Sequence, residues 1–242
     1  MSVPRIFTPQ ALREGGELVL EEAASRHLAS ALRLQLDAQV ILFNASGGEF
    51  QARIKTLDRK RVSLQVVTHN PVERESPLHT HLGIAVSRGE RMDWVVQKAT
   101  ELGVNTISPL FSERTEVKLK SERAEKKVNH WQQVAVSACE QCGRNQVPRI
   151  APLQQLSNWL PTVEAECKLV LHHRNSNSLR ELGPPNSVAL LIGPEGGLSD
   201  LEIANASAVG FSALALGPRI LRTETAPLAA LSLLQQQWGD MN

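Results

Sequence analysis

The sequence predicts an α/β protein in two parts, a small β-rich unit followed by an open α/β domain. Three observations predict it. The first ~70 residues alternate in short apolar runs separated by tight turns. A polar stretch with two prolines, THNPVERESP at 68–77, then interrupts the chain and reads as a linker. From Leu78 onward near-continuous apolar runs alternate with helical periods, as in a parallel sheet covered on both faces. The expected domains are 1–72 and 73–242, within a length of 242 residues that leaves ample chain for a core.

In order, GELVL (16–20) reads as a strand, and EEAASRHLASAL (21–32) has helical spacing through Ala24, Leu28, Ala31 and Leu32. AQVILFN (38–44), EFQARIKTL (49–57) and RVSLQVV (61–67) are strands parted by Ser46-Gly47-Gly48 and Asp58-Arg59-Lys60. Short strands with tight turns predict a small barrel. In the second part, HTHLGIAV (79–86) is a strand and RMDWVVQKATEL (91–102) a helix stopped by Gly103. VNTISPLF (104–111) is a strand, and 121–142 is a long helix ending before Gly143. CKLVLHH (167–173), SVALLIG (187–193) and FSALALG (211–217) are apolar strands. Helices at 199–209 and 225–237 complete the pattern, the first with Ser199 and Glu202 in capping-box spacing.

Composition excludes some functions and permits others. Net charge is +1, so no global field draws the chain to nucleic acid or membrane. Residues 76–150 carry 11 Lys/Arg against 8 Asp/Glu, and 151–242 carry 5 against 8, a weak segregation that solvated faces explain equally well. With no Tyr, five Phe and four Trp, a row of stacked aromatics along a single strand is not expected. MSVPRIFTPQ lacks the apolar core of a signal peptide, and three cysteines make no paired disulfide framework, so a reducing cytoplasm is expected. Cys139 and Cys142 close a helix and lack a second ligand pair, and His172-His173 lacks partners, so no metal is expected.

Ligands of open α/β sheets bind beyond the carboxyl ends of strands. Three apolar strands end there in unusual loops: HHRNSN (172–177), GPEGG (193–197) and GPRILRTET (217–225). A single Gly-Pro is ordinarily a turn; two strand exits bearing it, each followed by charge and a helix, are a stronger signal. If the three strands are neighbours, the loops line one pocket. GPEGG has neither the lysine of a P-loop nor the three spaced glycines of a dinucleotide fingerprint. Glu195 would repel a phosphate, whereas an adenosine that carries a positive centre and no phosphate, as in S-adenosylmethionine, meets no such penalty. The carboxylate could equally pair with a distant Arg or with backbone N–H groups.

LLIGPEGGLSDLEI followed by LGPRILRTETAPLAAL closely resembles the RsmE family of 16S rRNA uridine-N3 methyltransferases, within the knotted SPOUT superfamily. SRGERMDWVVQKATELGV (87–104), PLFSERTEV (109–117), ACEQCGR (138–144), PRIF and RHLASALRL (26–34) are also similar to that family, so the resemblance spans essentially the whole chain. It implies a PUA-like β-barrel at the N-terminus and a C-terminal knotted SPOUT-type parallel-sheet methyltransferase domain. It also implies a homodimer, S-adenosylmethionine as cofactor, and a uridine in the decoding region (helix 44) of 16S rRNA, on the assembled 30S subunit, as substrate. The implied cofactor contacts are Leu171 and His172, then Gly193, Pro194, Glu195, Gly196 and Gly197. Leu216, Gly217, Pro218, Ile220, Leu221 and Arg222 complete them from the third loop.

For such a reaction, uracil N3 must lose its proton and be aligned with the methyl group, and an arginine near O2 or O4 would stabilise the developing charge. Arg222 and Arg219 are the expected guanidiniums and Glu224 the expected proton acceptor; a salt bridge between Arg222 and Glu224 is an equally good reading. RNA contacts are expected from Arg5, Arg26, His27 and Arg33 in the first domain and from Arg88, Arg91 and Arg144 nearer the second. Gly196→Val is expected to abolish donor binding by filling the loop. Competing readings are an RNA methyltransferase acting on another base or on a ribose, and a non-catalytic RNA-binding or ribosome-assembly factor. A phosphate-binding nucleotide enzyme is disfavoured by the missing lysine.

Overall fold

A computed structural model describes residues 3–117, 119, 121–172, 179 and 183–241. The chain divides into two compact units, Met1–Glu75 with Cys139–Val147, and Ser76–Ala138 with Pro148–Asn242.

The first unit is one five-stranded sheet built from β1 (Arg5–Phe7), β2 (Glu17–Val19), β3 (Gln39–Phe43), β4 (Glu49–Asp58) and β5 (Arg61–Asn70), in the order β1-β3-β4-β5-β2. β1 runs parallel to β3; the other pairings are antiparallel. β4 and β5 alternate buried and exposed residues, as the period of two requires, and put Ala52, Ile54, Val62, Leu64 and Val66 into the core. Register shifts at Gln51/Ala52 and Ile54/Thr56 bend this long hairpin, which curls the sheet. β5 continues to Asn70, into the stretch read as linker.

Helical spacing over 21–32 resolves into two pieces, α1 (Glu22–Arg26) and a π-helical turn at His27–Ala31. In that turn Leu32 N–H reaches back to His27 C=O, five residues away, and Leu28 is fully buried against the sheet. Ser25 pins α1 to β5, its buried hydroxyl donating to Leu20 C=O and accepting from Val62 N–H.

One edge of this unit holds a buried polar network. Glu49 accepts hydrogen bonds from Arg5 and, at 3.1 Å, from Arg74. Burial alone would raise the Glu49 carboxyl, but these two guanidiniums hold it below the usual carboxylate range. Arg5 also donates to Asn145 Oδ1 at 2.8 Å, and Asn145 donates to Val72 C=O. Arg144 forks onto Glu75, Nη2 to Oε2 at 2.6 Å and Nε to Oε1 at 3.1 Å. These contacts correct the reading of Arg5 and Arg144 as RNA-facing. Their side chains are 10% and 5% exposed and paired with protein carboxylates, so they organise the unit. Arg26 is exposed and pairs with Glu22 one turn earlier, while His27 and Arg33 lie exposed.

The second unit is a seven-stranded parallel sheet. Its strands are β6 (His79–Ala85), β7 (Thr106–Phe111), β8 (Arg149–Ile150), β9 (Gln154–Gln155), β10 (Cys167–Leu171), β11 (Ser187–Ile192) and β12 (Ser212–Leu214). The order is β12-β10-β11-β6-β7-β8, with β9 also on β7. β6, β7 and β11 are buried along nearly their whole length, as the apolar runs require of a sheet covered on both faces.

The covering helices are α2 (Arg91–Glu101), α3 (Ser121–Cys142), α4 (Leu156–Trp159), α5 (Asp200–Ala208) and α6 (Ala226–Trp238). α2 buries Met92, Val95, Val96, Ala99 and Thr100, the stripe of a helix with one apolar face. Gly103 ends it with φ +82, a conformation that disfavours side chains. α6 buries Pro227, Ala230, Leu231 and Leu234 and packs on α2. Trp159 of α4 lies so close to β6 that a Cβ on Gly83 would come within 2.5 Å of the indole, so only glycine fits there. Beside it, His81 donates to or accepts from Ser108 at 2.8 Å, and burial together with Arg149 and His79 lowers its pKa to about 4.

Candidate active site

The three loops singled out in the sequence leave adjacent strands. β10 pairs with β11 through Val170↔Leu191 and with β12 through Leu171↔Leu214, so their carboxyl ends lie side by side. His172 N–H donates to Leu214 C=O at 3.0 Å, tying the β10 exit to β12. His173 and the rest of HHRNSN lie outside the described residues.

The β11 exit is a tight turn whose shape needs its glycines. Gly197 N–H donates to Pro194 C=O at 2.8 Å, closing a four-residue turn, and Gly197 has φ +68. A Cβ on Gly193 would sit 2.9 Å from Leu198 Cγ and 3.0 Å from its backbone N. Gly196 has ordinary room, with Arg114 Cβ at 3.4 Å, so the positions that disfavour a side chain are Gly193, for lack of space, and Gly197, for its positive φ. Ser199 and Glu202 form the capping box that starts α5. Glu202 uses its other oxygen to accept from Glu113 N–H at 2.8 Å, and Arg114 donates to Gly196 C=O at 2.9 Å. The segment after β7 therefore braces the GPEGG turn, a role for Arg114 and Glu202 that no motif in the sequence signals.

The third loop is open. Gly217 has φ +80, and a Cβ added there would meet nothing within 4 Å. Gly217, Pro218, Arg219, Ile220 and Arg222 are exposed, Ile220 by 98%. Leu171, Leu216 and Leu221 are half-buried. Arg222 C=O accepts from Thr225 and Ala226 N–H and leads into α6. Gly197 and Gly217 leave bare backbone beside open space, where a ligand can approach the chain closely.

Glu224 finds its cation outside its own loop. Arg91, at the start of α2, donates to Glu195 at 2.7 Å and places Nε 3.9 Å from Glu224. One guanidinium thus bridges the β11 and β12 exits, in place of an Arg222–Glu224 pair. Arg88, expected like Arg91 to face RNA, pairs with Glu116 at 2.9 Å. These residues, with Gly89, Glu90 and Trp94, line an open cleft of about 710 Å³.

Topology explains why the cleft is here. From β6 the chain builds β7 and β8 on one side of the sheet and β11, β10 and β12 on the other. The exits of β6 and β11 are neighbours at the point where strand order reverses, the place where open α/β sheets bind ligands. Sequence patterns single out the β10, β11 and β12 exits, name Arg88 and Arg91 beyond β6 only as RNA contacts, and miss Trp94. The missing signal is strand order.

Cys139 is buried, donates to Gln146 C=O and has its thiol pushed up to about 12 by burial, the state of a core side chain. Among the described residues no group of three or more His, Cys, Asp or Glu is placed to hold a metal ion.

Comparison with known proteins gives this geometry a context. The chain matches the family model of an RNA methyltransferase domain over residues 74–235 and that of an RNA methyltransferase PUA domain over residues 20–67. It is 37% identical to ribosomal RNA small subunit methyltransferase E of Buchnera aphidicola subsp. Schizaphis graminum, over 99% of this chain and 98% of that protein. The Bacillus subtilis protein of the same name is 31% identical over 96% and 94% of the two chains. Among solved structures, ribosomal RNA small subunit methyltransferase E of Neisseria gonorrhoeae, bound to S-adenosyl methionine, superposes with a TM-score of 0.95 at 37% identity, covering 100% of both chains.

Proposed function

We propose that this chain, which belongs to the ribosomal RNA small subunit methyltransferase E family, transfers a methyl group from S-adenosylmethionine to N3 of a uridine in 16S rRNA. It is an S-adenosylmethionine-dependent rRNA methyltransferase; the finer reading is that its uridine lies in helix 44 of the decoding region and is methylated on the assembled 30S subunit. The observation that carries the reading is the side-by-side exit of β10, β11 and β12, the last two into Gly-Pro loops that carry Glu195 and Glu224.

The donor is assigned to Leu171 and His172, to Gly193–Gly197, and to Leu216–Arg222. When bound there, it supplies an electrophilic methyl on a positively charged sulfur. The chain's own residues must hold uracil N3 in line and take its proton. Glu224 stands in the cleft with an oxygen 3.9 Å from Arg91 and is the proposed acceptor of the N3 proton. Arg222 and Arg219, exposed on the same loop and without an ion pair among the described residues, are the proposed donors to the developing oxyanion at O2 or O4.

Residues 1–72 are proposed as the PUA-like domain that positions RNA and 73–242 as the methyltransferase domain. His27 and Arg33 are the exposed candidates for backbone contacts, with Arg26 shared with Glu22. We further place the enzyme in the cytoplasm, as a homodimer, where its ribosomal substrate is assembled.

The test is transfer from labelled S-adenosylmethionine to small subunits lacking the modification, with free 16S rRNA in parallel and digestion to nucleosides. N3-methyluridine on subunits, with free RNA unlabelled, is the expected result. A labelled ribose or another labelled base would overturn the choice of target.

A further inference from the structure

Resting on that reading, we infer that the cleft at the β6 exit seats the target base, with Trp94 as its stacking platform. Trp131 and Trp159 are buried, whereas Trp94 is 50% exposed and forms part of the cleft wall. It stands one turn into α2, with Lys98 Nζ 5.2 Å from its ring centroid. An exposed indole costs solvation unless something covers it, and a base removed from its stack needs a flat apolar surface in return.

The charges of the cleft say what kind of group it admits. Its lining holds two arginines, Arg88 and Arg91, and four glutamates, Glu90, Glu116, Glu195 and Glu224, so its formal charge is negative. A phosphate is repelled by that charge; a neutral base is not. The walls also match one base edge. Uracil presents an N–H between two carbonyl oxygens, and Glu224 with Arg91 offers a carboxylate acceptor beside a guanidinium donor. Cytosine has a lone pair at N3 and would set it against the carboxylate, so the same pair disfavours cytosine. A volume of about 710 Å³ has room for a nucleoside.

Transfer kinetics on unmodified small subunits, with calorimetric donor affinity alongside, test this for Trp94→Ala and Trp94→Phe. Trp94→Ala is expected to raise KM for subunits by roughly tenfold, within the range of base–aromatic stacking, with donor Kd within twofold of the parent. Trp94→Phe is expected to keep KM within about threefold, since a phenyl face still stacks. An unchanged KM in Trp94→Ala overturns the proposal. So does an equal loss of donor affinity, which would make the indole a structural support, or Phe behaving like Ala. If the parent enzyme makes no N3-methyluridine, the reading of the reaction fails before the variants are compared.

Discussion

Both units of this protein join arginine to glutamate, yet the pairs do opposite work. In the first unit Arg5 with Glu49, and Arg144 with Glu75, are largely buried and organise the chain around them. In the second, Arg91, Glu195 and Glu224 stand in an open cleft, with Arg91 and Glu195 each about two-fifths exposed. Breaking a buried pair strands a charge and costs roughly 3–5 kcal/mol, whereas an exposed pair contributes about 0–1 kcal/mol. The first arrangement therefore holds a fold, and the second can be exchanged for a ligand at little cost. Burial, which no residue pattern states, separates the two.

The comparison is broken most directly by Glu49→Ala. Left without its main acceptor, buried Arg5 should lower the unfolding free energy by about 3 kcal/mol in urea titration. A loss under about 0.5 kcal/mol would erase the distinction. Gly193→Val comes next: overpacking at the β11 exit should cost about 1–3 kcal/mol and, unlike Glu49→Ala, should also weaken donor binding. Glu195→Gln should leave stability within about 1 kcal/mol while slowing transfer, because Arg91 then holds only one of the two exits.

Acid gives a second test of what burial does. His81 is buried neutral, with a pKa lowered to about 4, so the unfolded chain binds its proton first. Stability should thus fall as pH drops from about 6.5 to about 4, by up to about 3 kcal/mol, and His81→Gln should flatten that window in urea midpoints. Glu49 has the opposite charge logic and acts lower. Its depressed carboxyl stabilises the fold above the unfolded value and loses that contribution as pH falls through the folded one. In Glu49→Gln the slope of stability below about pH 4.5 should shrink.

Much of the fold is legible in the residue pattern. The stripe Met92, Val95, Val96, Ala99, with Gly103 behind it, specifies α2 by periodicity and a stop signal alone, and the Ser199–Glu202 box starts α5 where its spacing says. Short pieces are not legible. α4 and β9 offer too few residues for a period, and the π turn after Arg26 keeps helical spacing while changing the hydrogen-bond ladder. The site is half legible. Glycines and an acid single out GPEGG in the sequence, but Trp94 comes near it only because β6 lies beside β11, far apart in sequence. Arg5 and Arg144 carry the same charge as Arg33, and only the acids around them remove them from a surface.

The β11 and β12 exits are proposed to hold the methyl donor. Titration calorimetry of S-adenosylmethionine into the parent chain and into Gly197→Val and Gly217→Val, each checked by thermal unfolding, tests it most directly. Both glycines have positive φ and open space above them. One donor site per chain is expected in the parent, with at least a tenfold loss of affinity in each variant that stays folded. Parent-like affinity in both folded variants would contradict it and place the donor elsewhere.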